Sequence, residues 1–316
     1  MFQTSLEAAP FDPEDLGGIR ARVDAETNGN YVDFRRGLTP DYRRVGRDIG
    51  LGYGALAATL AATGAIGPWA IPAGVVLAGL LIAYLQLFIH EAAHYGLAPD
   101  RAANDRIANR LICWQVGTDI ASYRATHWQH HRALGGPEDS EVSYRNRLSP
   151  GFVLAMLSGV HAVRVFLSRS TGGPKPASAS GKRSALLTGI AAHAALLVLL
   201  VAVGWWPAAV AWVGGMAICF PFFATMRQLL EHRPAAGEGG GRAVTRLFGD
   251  DPFSRVFGGA GFNRHMLHHL EPQTSYTRLA ELEMFLMTTS ASAELDARRS
   301  TYWGAFRQLV RSDRHG

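Results

Sequence analysis

The chain has 316 residues, 48% of them hydrophobic, and a formal net charge of +5 from 31 basic and 26 acidic side chains. The distribution of charge tells more than its total: no Asp, Glu, Lys or Arg occurs from Ile49 to His90 or from Ser184 to Met226. A water-soluble globular chain intersperses charge with apolar residues, so two such blocks predict an integral membrane protein, with two buried hairpins of a soluble bundle as the alternative.

In chain order, residues 1–48 are polar, with seven basic against nine acidic side chains. Pro10, Pro13 and Gly17–Gly18 predict that they begin as a loose arm. The first eighteen residues are acidic and lack an apolar core, so no cleavable signal peptide is expected. The first charge-free block holds two spans of about 20 residues. It divides at GAIGPWAIP (64–72), which predicts helices over 49–66 and 70–90. Residues 91–183 carry twelve basic and seven acidic side chains, a balance suited to anionic headgroups or an acidic partner. Apolar positions at helical spacing predict an interfacial helix over 101–120. A second is expected over 150–167, where His161 and Arg164 interrupt the apolar run. SRSTGGPKPASASGKR (168–183) reads as a linker. The second block divides at GWWP (204–207) into spans over 184–203 and 207–226, PAAGEGGGR (234–242) reads as a loop, and the tail from Ser275 alternates apolar and charged residues as one or two helices.

These elements add up to an all-α integral membrane protein. Four transmembrane helices form two hairpins, with a cytoplasmic helical cap. The expected organisation is an arm over 1–48, a membrane and metal-binding domain over 49–285 and a tail over 286–316. All 31 Lys and Arg fall in the three segments that two hairpins place on one side. The positive-inside rule makes that side cytoplasmic, together with both termini and the active site. No nucleic-acid partner is expected. Cys113 and Cys219 are too few and too distant for an iron–sulfur or zinc-ribbon motif.

Nine of the twelve histidines fall in four places: HEAAH (His90, His94), HWQHH (His127, His130, His131), RQLLEHR (His232) and HMLHH (His265, His268, His269). Residues three and four apart share a helix face, so each box presents a row of imidazoles. Alone, HEAAH has the spacing of a zinc peptidase, with Glu91 as general base. A catalytic zinc takes about three protein ligands; nine imidazoles suit two metals, and imidazole by itself suits zinc, copper, iron or nickel. A membrane zinc hydrolase using Glu91 and a non-catalytic metal-binding membrane protein remain as alternatives. His161, His193 and His315 are read as ordinary core or surface residues.

The boxes, in this order and on these spans, resemble those of the membrane fatty-acid desaturases, a family that also holds membrane hydroxylases and carotenoid ketolases. HEAAHYGLAPDRAANDRI is similar to the family's first box with its Asn–Asp pair, here Asn104 and Asp105. HWQHHRALGGPEDSE is similar to the second, with Gly135 and Asp139, and HMLHHLEPQTSYTRL to the third. In RQLLEHR the resemblance makes His232 the ninth ligand. It implies a di-iron centre, O2 as oxidant, a fatty-acyl or lipid-like substrate reached from the bilayer and two electrons from a separate protein. No HPGG motif of a fused cytochrome b5 occurs, so a separate ferredoxin, rubredoxin or cytochrome b5 is expected. Desaturation is the expected reaction, with hydroxylation or ketolation as alternatives. So many rings need orienting partners. The candidates are Asp139, Glu231 and Glu271 beside the boxes, then Asn104 and Asp105. Some relatives carry Asn four residues before the ninth histidine, reaching iron through water; Gln228 stands there in this chain.

Overall fold

A computed structural model of the chain describes residues 14–172, 179–234 and 244–315. Its α-helices in chain order are α1 (Glu14–Glu26), α2 (Asn30–Gly37), α3 (Tyr42–Ile66), α4 (Ile71–Ala93), α5 (Arg101–Ile107), α6 (Ile120–Ala133), α7 (Pro150–Leu157) and α8 (Val160–Gly172). There follow α9 (Ala179–Ala202), α10 (Trp206–Gly214), α11 (Phe220–His232), α12 (Pro252–Phe257), α13 (His265–Leu270), α14 (Leu279–Leu286), α15 (Ser292–Ala297) and α16 (Tyr302–His315). Among the described residues there is no strand, only an isolated bridge between Leu247 and Arg299. Two compact units emerge. The apolar unit comprises residues 42–128 and 149–226; the polar unit takes its described residues from 1–41, 129–148 and 227–316.

Four helical stretches, Tyr42–Ile66, Pro68–Ala93, Arg183–Ala202 and Trp206–His232, are long and apolar enough to cross a membrane. They match the four expected spans, stopping one residue short of 203 in the third and running past most of the other expected ends. Gly67 (φ 94°) and Gly204 (φ 80°) form the two turns, each followed by a proline near the next helix start. Small residues let the helices of the apolar unit approach closely. A Cβ on Gly79 of α4 would lie 2.3 Å from the Cys219 side chain, in the π-helical turn (Gly215–Cys219) between α10 and α11.

The helix expected over 101–120 is broken. α5 passes into a π-helical turn over Ala108–Ile112, then a 3-10 turn over Cys113–Val116, and stops at Gly117 (φ 60°). The reason is local: side chains take the carbonyls that an unbroken helix would use. Gln86 Nε2 donates to Ile112 O at 3.1 Å and to Gln115 Oε1 at 2.7 Å. Tyr53 Oη and Trp114 Nε1 both donate to Leu111 O. His193 Nε2 donates to Gln115 O at 3.0 Å, and Trp212 Nε1 donates to His193 Nδ1 at 3.1 Å. Tyr53, Gln86, His193 and Trp212 come from the four membrane-crossing stretches, so this chain of bonds ties all of them to one segment.

Three further expectations change. The helix predicted over 150–167 splits into α7 and α8 at Gly159 (φ 74°), where a Cβ would lie 3.2 Å from Ala217 O. Residues 168–172 and 179–183 of the expected linker are helical, while 173–178, and 235–242 of the expected loop, lie outside the described residues. Of the arm expected to begin loose, residues 1–13 lie outside the described residues, and from Glu14 onward it is largely helical: in the polar unit α1 and α2 fold onto the residue that follows α13. Tyr31 Oη donates to Glu271 Oε1 at 2.8 Å, Arg35 Nη1 reaches both Glu271 oxygens at 2.9 and 2.7 Å, and Arg20 Nε donates to Leu270 O at 2.6 Å. Sequence composition alone could not supply a partner about 240 positions away.

Removing the His193 ring takes a donor from Gln115 O and an acceptor from the Trp212 indole, inside helices with little water to replace them. His193→Ala is expected to lower unfolding stability by about 1–2 kcal/mol, read by denaturant titration of the purified protein in bicelles. Metal content should match the wild type.

Candidate metal centre

The apolar unit brings together His90, His94 and His127. The first two stand at the end of α4, where His94 is the capping residue and Tyr95 (φ 63°) turns the chain away. All three are buried, at 4%, 8% and 2% exposure. Nε2 of His94 and of His127 lie 2.9 Å apart, and the His90 ring centroid lies 4.3 Å from that of His127. Burial, the neighbouring His127 and Arg124 push the His94 pKa well below its ordinary value, so the ring is neutral.

Helices α4 and α6 are held in register by a brace that sequence reading identified only in part. Asn104, fully buried, donates to Ala92 O at 3.0 Å and accepts from Leu97 N at 3.0 Å. Arg124 donates from Nε to Ala93 O at 3.0 Å and from Nη2 to Ala92 O at 3.1 Å, and pairs with Asp105. Arg124 lies three residues before His127 on α6, so one side chain fixes the ends of both histidine-bearing segments. Glu91 is buried and curls over Gly96: a Cβ there would sit 2.0 Å from Glu91 Oε1.

The polar unit gathers the other six, His130, His131, His232, His265, His268 and His269. Nε2 of His232 lies 3.3 Å from Nε2 of His130 and 2.8 Å from Nε2 of His265, which is 3.2 Å from Nε2 of His269. His131 and His268 approach through Nε2 at 2.9 Å. His130, His232 and His269 could together hold one ion: their donor atoms lie within 4.8 Å of one another. Burial and four surrounding imidazoles push the His269 pKa well below normal.

Partners on the far side of two rings fix their tautomers. His232 Nδ1 lies 3.1 Å from Val244 O, which can only accept, so Nδ1 carries the proton and Nε2 presents its lone pair. His130 Nδ1 lies 2.8 Å from Asp139 Oδ1. Burial works against ionising Asp139, but donors from His130, Tyr144 and Glu141 outweigh it and hold the carboxyl below the usual range. Tyr144 Oη, Gly135 N and Glu141 N bond to that carboxylate at 2.6, 3.1 and 2.9 Å. His130 Nδ1 therefore donates, which leaves its Nε2 facing Nε2 of His232. Facing Nε2 atoms in a buried setting, one with its lone pair fixed outward, suit a divalent transition-metal ion, and these residues fit one.

The remaining expected partners lie as follows. Gln228 Nε2 donates to Glu141 Oε2 at 3.2 Å. Glu231, beside His232 and 1% exposed, receives Tyr302 Oη and Arg227 at 3.5 Å each. Glu271 joins Tyr31, Arg20 and Arg35, as above. His161 packs edge-on against Phe152 and His193 belongs to the span network; the side chain of His315 lies outside the described residues. Arg124, Tyr144 and the Val244 carbonyl were not identified from sequence. For Tyr144 the signal was its position five residues after Asp139; a backbone carbonyl carries none.

Among known proteins, the sequence model described as fatty acid desaturase matches residues 66–295, nearly three quarters of the chain. No curated protein matches the chain.

If Asp139 sets the His130 tautomer, Asp139→Ala should weaken metal binding by about 10- to 100-fold, measured by chelator competition on purified protein. Asp139→Asn, which still accepts from Nδ1, should lose less. Unchanged affinity in both would remove Asp139 from the centre.

Proposed function

The chain belongs to the fatty acid desaturase family, and from that membership we propose that it is an oxygen-dependent membrane di-iron enzyme introducing a double bond into a fatty-acyl or lipid-like chain. The nine histidines His90, His94, His127, His130, His131, His232, His265, His268 and His269 hold the two irons. The observation that carries this reading is the set of converging Nε2 atoms in each unit, with two tautomers fixed from behind by Asp139 and Val244 O. Helix α6 adds support, since it carries His127 of one group and His130 and His131 of the other at spacings that share a helix face.

Bound iron would supply the oxidising power that an unactivated C–H bond requires, drawn from O2 and two external electrons. The protein contributes position and environment. Burial favours the neutral form of His94 and His269, and imidazole ligands would leave the irons more positive charge than carboxylates. Arg124, Asn104 and Asp105 fix the end of α4 that presents His90 and His94, while Asp139 and Tyr144 hold His130. The substrate enters from the bilayer or along its surface. The side bearing the basic segments and both termini is cytoplasmic. A separate ferredoxin, rubredoxin or cytochrome b5 docks there, drawn by the excess of basic residues over 91–183.

The test compares lipids and small metabolites from cells with and without the expressed chain, by mass spectrometry. Loss of two hydrogens from an acyl chain supports desaturation; gain of one oxygen would redirect the assignment to hydroxylation. Purified protein should hold two irons per chain and lose activity without O2. His94→Ala and His268→Ala should each abolish product. Full turnover in either variant, or undiminished activity in anaerobic assays, would overturn the proposal.

A further inference from the structure

Helix α16 lies wholly beyond the residues matched by the family model, yet it reaches into the support of the histidine cluster. Its buried face runs through Tyr302, Ala305 and Leu309, at 2%, 4% and 4% exposure. Continued at helical spacing, that face arrives at Asp313, about 16 Å from Tyr302 along the axis. A carboxylate at the end of an apolar stripe needs a reason, and the side chain is only 7% exposed. Asp313 Oδ1 accepts from Arg233 Nη2, Oδ2 accepts from Leu148 N at 2.7 Å, and its backbone carbonyl accepts from Arg147 Nη2 at 2.8 Å. The other arm of Arg233 donates to Asn146 O. At the opposite end of α16, Tyr302 Oη bonds to Glu231 at 3.5 Å.

The two residues flanking His232 are thus both gripped by α16, Glu231 by Tyr302 and Arg233 by Asp313. The same carboxylate also anchors Asn146–Leu148, two residues after Tyr144, whose hydroxyl holds Asp139 against His130. His130 and His232 are the pair whose Nε2 atoms face each other at 3.3 Å. We infer that Asp313 is a positioning residue for the metal centre: through Arg233 on one side and Asn146–Leu148 on the other, it sets the approach of His232 to His130. The inference rests on the metal-binding reading proposed above. The C-terminal helix is then part of the active centre.

The test uses the full-length protein, with Asp313→Asn, Asp313→Ala, Arg233→Lys and the double variant Arg233→Ala/Asp313→Ala. Leu309→Ala is the control; it loosens the seat of α16 and leaves the carboxylate in place. Each protein is loaded with Co2+, and its visible ligand-field spectrum and chelator resistance are recorded. Iron-loaded samples then give kcat and KM. Expected are an altered Co2+ spectrum, metal affinity lowered about tenfold or more, and kcat reduced with KM within about twofold, all beyond what Leu309→Ala gives at equal loss of thermal stability. The double variant should be no worse than the worse single one. Asp313→Asn and Arg233→Lys preserve size and keep the test open where an alanine variant fails to fold. Wild-type spectra and affinity in the Asp313 variants, losses matched by Leu309→Ala at equal stability, or fully multiplicative effects in the double variant would each overturn the inference alone. A wild-type protein that takes up neither Co2+ nor iron would overturn the proposed function with it.

Discussion

The Nε2 atoms of His130 and His232 face each other at 3.3 Å, and holding them so is the constraint on which the rest of the polar unit depends. Neither ring is free to turn away. Each ring is bonded from behind, one to a carboxylate that accepts three further donors, the other to a main-chain carbonyl. Asp139 could not do this alone. Burial favours its neutral form, which would give up the proton-accepting role, and donors from His130, Tyr144 and Glu141 hold it charged. The loop over 133–146, rich in turns and poor in apolar residues, exists to assemble those donors around one oxygen pair.

The apolar unit meets a different constraint with the same logic. Carbonyls released where α5 gives way to π and 3-10 turns have no water to turn to among apolar helices. Tyr53, Gln86, Trp114 and His193 take them up, and Trp212 completes the histidine. The irregular segment therefore ties together the four stretches that are long and apolar enough to cross a membrane. His193, which resembles no box, is structural for that reason.

The parts of this protein that were legible in its sequence are those fixed at short range. The four apolar stretches stand out because a bilayer excludes charge over some 20 residues, and the boxes stand out because three- and four-residue spacing is itself helix geometry. Asn104, Asp105 and Asp139 were within reach because they lie close to a box in the chain. What could not be read depends on pairs brought together only by folding. Glu271, expected to orient a histidine, receives Tyr31, Arg20 and Arg35 of α1 and α2, residues that look like a loose arm in the sequence. Arg124 looks like any charged residue on a helix. Asp313, near the end of a polar tail, shows nothing of its burial except its register with Tyr302 and Leu309, a pattern with meaning only once the apolar face of α16 is known.

One arrangement recurs at the ends of the histidine-bearing helices. His94, His131, His232 and His269 all lie within a few residues of a helix C-terminus, where the unbonded carbonyls carry partial negative charge. That end favours a cation nearby, which suits ligands that bring no charge of their own. The same carbonyls would fray in an apolar setting, and an arginine distant in sequence caps them: Arg124 on Ala92 and Ala93, Arg246 on Leu230 and Arg233, Arg20 on Leu270. Lysine could not replace these, since a planar guanidinium bonds two carbonyls, or a carbonyl and a carboxylate, from one fixed orientation. Arg124 is itself neutralised by Asp105, so that cap adds rigidity without a net charge, whereas Arg20 shares Glu271 with Arg35. A helix six residues long, as α13 is, has little stability of its own. Its two terminal histidines keep a fixed direction because Arg20 and Glu271 hold the turn that follows them.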